Sequence, residues 1–162
     1  MDGGVSDECF RVIEPVAMVE VMPRWALRFP QFDTVVGYSD LGQVFLAKRS
    51  SGEYGVLYPY RDAAKNYGVF GSTGEFFDSI VRDEYFTKVI MLAEHAAAIR
   101  ERLGELGPGQ VYFPVPYPFL GGTEDVHTYE SGDVWVFLDI VGQFMTQEAA
   151  PARRRWPWSR RK

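Results

Sequence analysis

The chain has 162 residues, 46% of them hydrophobic and 24% charged, with a single cysteine, Cys9. That length supports one domain with a core of its own, and one cysteine excludes an internal disulfide and fits a reducing compartment. No apolar run is long enough to span a bilayer and the first ten residues do not form a signal peptide, so the expected location is the cytoplasm.

The net charge of −5 conceals a split. Of the 17 basic residues, six lie among the last twelve, namely Arg153, Arg154, Arg155, Arg160, Arg161 and Lys162, which leaves 11 against all 22 acids, or −11, in residues 1–150. An acidic body disfavours direct contact with nucleic acid and favours a basic protein partner, through complementary potentials that steer encounter.

In chain order, Met1 to Glu8 reads as a frayed end. Phe10 to Phe29 reads as a short strand or turn and then a helix starting at Pro23, whose fixed φ suits a first helical turn; Trp25, Leu27 and Phe29 are expected in the core, and Pro30 ends the segment. Thr34–Tyr38, Gln43–Lys48 and Tyr54–Tyr58 are three short runs rich in β-branched and aromatic residues. The Arg49–Gly52 link has hairpin length, which predicts an antiparallel meander with Tyr54, Val56 and Tyr58 on one face, and Val44 and Leu46 opposed to Phe45.

Ser72-Thr73-Gly74-Glu75 has the capping-box pattern, with the Ser72 hydroxyl accepting from the third helical amide and Glu75 returning the bond, and predicts a short helix to about Arg82. Glu84 to Leu103 carries the longest helical signal, with Phe86, Val89, Ile90, Ala93 and Ala97 on one stripe and Tyr85, Leu92, Ala96, Ile99 and Leu103 on its neighbour. Gly104 and Gly107-Pro108-Gly109 close it. Pro114, Pro116 and Pro118 cannot donate to a ladder, so Val115 to Leu120 is expected to run extended and unpaired. In Asp133–Asp139, Val134, Val136 and Leu138 alternate with Trp135 and Phe137, which reads as a strand covered on both faces; Ile140–Gln147 then turns helical. The expected fold is α+β: an antiparallel meander packed by a long helix and shorter ones, a single domain over residues 1–150, followed by a disordered tail at 151–162.

Catalytic chemistry is hard to assemble from these residues. His95 and His127 are the two histidines. His95 has no second His or Cys ligand at metal spacing and reads as a solvated helix residue. His127, with Glu124, Asp125 and Glu130, reads as a soluble polar loop rather than an acid–base cluster. Cys9 lacks a neighbouring histidine that would activate a nucleophile. The glycines at 68, 71 and 74 come without a phosphate-binding lysine and read as turns. No enzyme, metal or cofactor is expected. The tail sets Trp156 and Trp158 among its six basic residues; that composition suits an anionic membrane, nucleic-acid phosphates with stacking, the chain's own acidic body, or simple solubility.

Several segments, in order over about residues 30–145, together resemble a known family. They are Gly37-Tyr38-Ser39-Asp40-Leu41-Gly42 with Val44-Phe45-Leu46, Gly52-Glu53-Tyr54 with Val56-Leu57-Tyr58-Pro59, and Ala63-Ala64-Lys65-Asn66-Tyr67-Gly68. They continue with Glu94-His95 through Arg102-Leu103-Gly104, Val111-Tyr112 to Tyr117-Pro118-Phe119-Leu120-Gly121-Gly122, and Asp133-Val134-Trp135-Val136-Phe137. The family is that of bacterial immunity proteins related to the one that protects against the DNase effector of a type VI secretion system, with a C-terminal domain formerly of unknown function. Members often carry a fuller N-terminal domain than this chain does, and the basic tail has no counterpart among the family's features.

The resemblance implies a cytoplasmic protein that binds and silences a cognate toxin and has no catalytic residues of its own. A nuclease toxin would present a basic surface. The candidate anchors against it are Tyr58, Tyr67, Tyr112, Tyr117 and Phe119, since interfaces favour aromatic residues; Glu124, Asp125 and Glu130 are candidate acidic contacts. Core packing is the alternative for each ring. A different reading makes the chain an adaptor held to a membrane or nucleic acid by Arg153, Arg154, Arg155, Trp156, Trp158, Arg160, Arg161 and Lys162.

Overall fold

The three β-rich runs between Thr34 and Tyr58 form the centre of a five-stranded antiparallel meander. The structure, a computed structural model, describes residues 8–149. The strands are β1 (Phe10–Ala17), β2 (Thr34–Ser39), β3 (Val44–Lys48), β4 (Glu53–Tyr58) and β5 (Ala63–Val69), each paired with the next in sequence. The three expected strands and the turn after Lys48 stand where the sequence placed them; β1 and β5 add an edge strand on either side.

Pairing of Phe45 with Val56 and of Ala47 with Tyr54 places those four side chains on one face, where they meet Phe76, Phe77, Val81 and Phe86. Val44, Leu46 and Leu57 take the other face, against Met18, Met22, Trp25, Phe137, Leu138 and Val141. Each large side chain so buried contributes roughly 1.5–3 kcal/mol. A register shift in β2 between Val35 and Gly37 sends Val35 and Tyr38 into the second core and Val36 into the first. An extra residue at a bulge resets the alternation in this way.

Two short helices, α1 (Met18–Val21) and α2 (Pro23–Arg28), follow β1, with Pro23 at the first turn as predicted. Trp25 is buried, Phe29 is half-buried, and Leu27, expected in the core, is 85% exposed. The six residues of α2 present one narrow face to the core, and Trp25 occupies it.

Helix α3 (Thr73–Phe76) begins at the predicted cap, where the Glu75 amide donates to Ser72 Oγ at 3.1 Å. The return bond goes elsewhere: Glu75 Oε1 accepts from the Gly71 amide at 2.7 Å rather than from Ser72. A π-helical turn, Phe77–Val81, carries the helix on to Arg82. The long helix expected over Glu84–Leu103 is broken. Phe86–Ile90 is a second π-helical turn closed by the Met91 amide on the Phe86 carbonyl at 2.9 Å, Leu92 sits at φ +54°, and α4 runs only over Ala93–Leu103. The wider turn brings both Phe86 and Met91 onto the sheet, while Tyr85 and Val89, expected on the apolar stripes, are 65% and 48% exposed.

The largest departure is at Asp133–Asp139. Strand β7 (Tyr129–Asp133) pairs with β6 (Gln110–Pro114) in a separate two-stranded sheet, and Val134 begins a 16-residue helix, α5 (Val134–Ala149). Val134, Phe137, Leu138, Val141 and Met145 are buried and Val136 is 56% exposed, a helical stripe where alternation was read. A run apolar at every position fits either period. The start is capped, with the Val136 amide on Asp133 Oδ1 at 2.9 Å, and the helix is seated by Trp25, whose Nε1 donates to the Leu138 carbonyl at 2.8 Å. The continuation of helix through Ile140–Gln147 agrees with expectation. Gly42, at φ +98° in the β2–β3 turn, leaves the space that Phe137 fills: a Cβ there would lie 2.7 Å from its ring.

The two sheets are joined by main-chain amides of the second that donate to the first. The Tyr112 amide donates to the Asp40 carbonyl and the Gly109 amide to Tyr38 Oη, both at 2.8 Å. The segment after β6 does not run unpaired as expected, because the Val115 amide donates to the Thr128 carbonyl at 2.9 Å and Pro118–Leu120 coils into a 3₁₀ turn.

Candidate interaction surface

Tyr60 stands in the 3₁₀ turn Pro59–Arg61 that follows β4. The turn is closed by Asp62 at φ +53°, whose carboxylate takes Arg28 Nε at 2.6 Å and a second bond from Arg28 Nη2. From this anchored position the Tyr60 ring meets three others: Tyr117 at 6.3 Å between centroids, Phe119 at 6.0 Å and Phe137 at 5.9 Å. Tyr117 and Phe119 stack on one another at 5.5 Å, and Phe119 touches Phe144 of α5 at 5.4 Å. Phe137 is interior, while Phe144 and Leu120 are 37% and 50% exposed. A small core thus opens to the surface as an apolar patch built from the Tyr117–Leu120 turn and the outer side of α5. Exposed apolar surface of this kind marks interaction sites.

Tyr60 Oη is buried and has no hydrogen-bond partner among the described residues. Burial above all, then the phenols of Tyr129 and Tyr117 and the carboxylate of Glu124, push its ionisation far up, so it is a neutral phenol. Burial and Glu124 act on Tyr129 in the same direction. Glu124 therefore brings negative charge to this patch.

The structure divides the sequence candidates. Tyr117 and Phe119 share the patch described above. Tyr58 and Tyr67 lie elsewhere, on the side of the sheet that carries Phe86: their hydroxyls are 2.8 Å apart, the Tyr67 ring meets Phe86 at 6.0 Å, and Lys65 Nζ lies 4.8 Å from its centroid. Tyr112 is interior, 1% exposed, with its hydroxyl donating to the Gly104 carbonyl. Glu124, Asp125 and Glu130 are exposed; Asp125 Oδ1 accepts from the His127 amide at 2.9 Å, and Glu130 pairs across the small sheet with Phe113. Tyr60, Leu120 and Phe144 were missed by sequence reasoning. The only signal for Tyr60 was its place next to Tyr58-Pro59. The eight tail candidates, from Arg153 to Lys162, lie outside the described residues.

Other sequence candidates resolve as structure. His95 is half-buried rather than solvated, its ring edge-on to Tyr129 at 5.4 Å with Nε2 enclosed. Helix α4 turns that face inward, where its Ile99 packs with Tyr112 and Tyr129. Cys9 is 1% exposed and its thiol is pushed up to about 11, first by burial and then by Asp40. Among the described residues no three His, Cys, Asp or Glu side chains group as metal ligands, and no helix is long and apolar enough to cross a membrane.

The patch and the acidic loop beside it fall within a stretch that matches a known family. Residues 72–145 match the family model described as T6SS immunity protein Tdi1, C-terminal. That family is one of typically non-catalytic immunity proteins, whose members neutralise a cognate type VI secretion effector. The match starts at the helix cap Ser72, so Tyr58, Tyr60 and Tyr67 precede it, whereas the resemblance read from sequence began near residue 30. The fold is similar to the crystal structure of Atu4351 from Agrobacterium tumefaciens, with a TM-score of 0.57 and 16% identity over 85% of this chain and 67% of that one; at that identity the likeness is one of fold. No curated protein matches the chain.

Proposed function

We propose that this immunity protein neutralises its effector by covering a basic, nuclease-type surface with the Tyr117–Leu120 turn and α5, guided by the acidic loop that bears Glu124 and Asp125. The observation that supports this most is the apolar patch in which exposed Leu120 and Phe144 flank the half-buried Tyr117 and Phe119, beside that loop and inside the family-matched stretch. Aromatic anchors at the centre of an interface supply most of its affinity, and acidic groups at the rim govern encounter and salt dependence. Glu130 extends the acidic rim, whereas Tyr58 and Tyr67, on the other side of the sheet, and the interior Tyr112 lie outside this surface. An acidic body of −11 would be attracted to a protein built to hold phosphates.

The test is co-expression in a bacterium with the protein encoded beside it, scoring growth rescue and co-purification. Leu120→Arg places a cation at an exposed apolar position without touching the core. It is expected to abolish rescue and weaken the complex by at least about 30-fold, the scale of an interface hot spot, with an unchanged melting temperature. Full rescue by Leu120→Arg would remove the patch from the interface.

A further inference from the structure

Tyr60 presents an unusual combination. Its hydroxyl oxygen is enclosed and without a hydrogen bond among the described residues, although a buried polar group left without a partner costs free energy that a phenylalanine at the same place would avoid. Its ring is held by Tyr117 and Phe119 from the exposed turn. The turn ends at Gly121, with φ +92°, and Leu120 beside it is half exposed. Glu124 is near enough for its charge to bear on both Tyr60 and Tyr129. An acceptor oxygen, aromatic faces and a carboxylate converge here, and that is the chemistry that recognises a cation: N–H groups donate to the oxygen, ring faces attract the charge, and the carboxylate balances it.

We propose that Tyr60 is a specificity-determining residue of the effector interface, and that a lysine or arginine side chain of the effector enters here, donating to Tyr60 Oη against the Tyr117 and Phe119 rings with Glu124 balancing its charge. Because the oxygen is covered in the free protein, entry requires the Tyr117–Leu120 turn to shift aside. The inference rests on the patch being the effector interface.

Tyr60→Phe tests it with two readouts that a merely structural role would move differently. Full-length wild type, Tyr60→Phe, Glu124→Gln and Leu120→Arg are titrated with the protein encoded beside this one, and each is melted alone. The expected result is that Tyr60→Phe melts no lower than wild type yet binds about tenfold more weakly, the scale of one hydrogen bond to a charged group. Glu124→Gln is expected to weaken binding and flatten its salt dependence. Replacing the contacting lysine or arginine of the effector by alanine should then make Tyr60→Phe nearly silent, the non-additivity of groups in contact. If Leu120→Arg abolishes binding while Tyr60→Phe binds like wild type, the role of Tyr60 is overturned and the interface stands. If neither variant affects binding, both fall.

Discussion

Asp40 shows what burying one charge does to this protein. Its carboxylate is 17% exposed, lies 3.8 Å from Arg100 Nη2, and is pushed up from 3.8 to about 6; burial raises it, and Arg100 and Arg11 only partly offset that. A carboxyl that holds its proton more tightly when folded favours folding most at low pH. The penalty on its ionised form grows from about pH 4 and is complete above about pH 6. Asp40→Asn removes that penalty, which is already net of the Arg100 attraction, and is expected to raise stability near pH 7.5 by up to about 2–3 kcal/mol, with the gain vanishing toward pH 4. Urea midpoints of the two proteins across that range decide it; equal midpoints at neutral pH would mean the carboxylate is not penalised. Cys9 gives a simpler test. A neutral thiol 1% exposed should resist a disulfide-exchange probe near pH 8 until the chain unfolds, and immediate labelling of native protein would contradict its placement.

At the scale of elements, the segment from Ser72 to Leu103 combines good helix signals with departures from α-geometry. Ser72 caps α3 in the ordinary way, so Ser72→Ala should cost about 1 kcal/mol in chemical denaturation. Leu92 is the reverse case. It holds φ +54° with a side chain 37% exposed, a conformation that disfavours any residue with a Cβ by roughly 1 kcal/mol. Leu92→Gly is therefore expected to stabilise the protein by about that amount, and a lower unfolding midpoint would show that the leucine's contacts outweigh its strain. The break is stabilised locally: Gln43 Nε2 donates to the Ile90 carbonyl at 3.3 Å, taking up an acceptor at the end of the π-helical turn.

For the whole molecule, the relevant asymmetry is between the acidic residues 1–150 and the six basic residues that follow. If the acidic body steers the effector, the complex should weaken as salt rises from about 0.05 to 0.5 M, mostly through slower association. Removing residues 151–162 separates the two readings of the chain. Immunity carried by the patch predicts that the shortened protein still rescues growth and binds its effector. Function lost together with binding to anionic vesicles or nucleic acid would favour an adaptor tethered by its tail.

Local chemistry was legible in the sequence: the central hairpins from β-branched runs and turn residues, the helix start at Pro23, the Ser72 cap, the stop at Gly104, and a family resemblance carried by short motifs. These depend on contacts within a few residues. The tertiary structure decided what depends on distant partners. Val134–Leu138 is apolar at every position, and only packing on Trp25 and the sheet turns it into a helix. The stripe over Glu84–Leu103 is broken because Phe86 and Met91 must both reach the same core. The ring cluster under the patch draws Tyr60, Tyr117, Phe119 and Phe144 from three separate stretches of chain, and spacing along a sequence carries no record of a meeting made by folding.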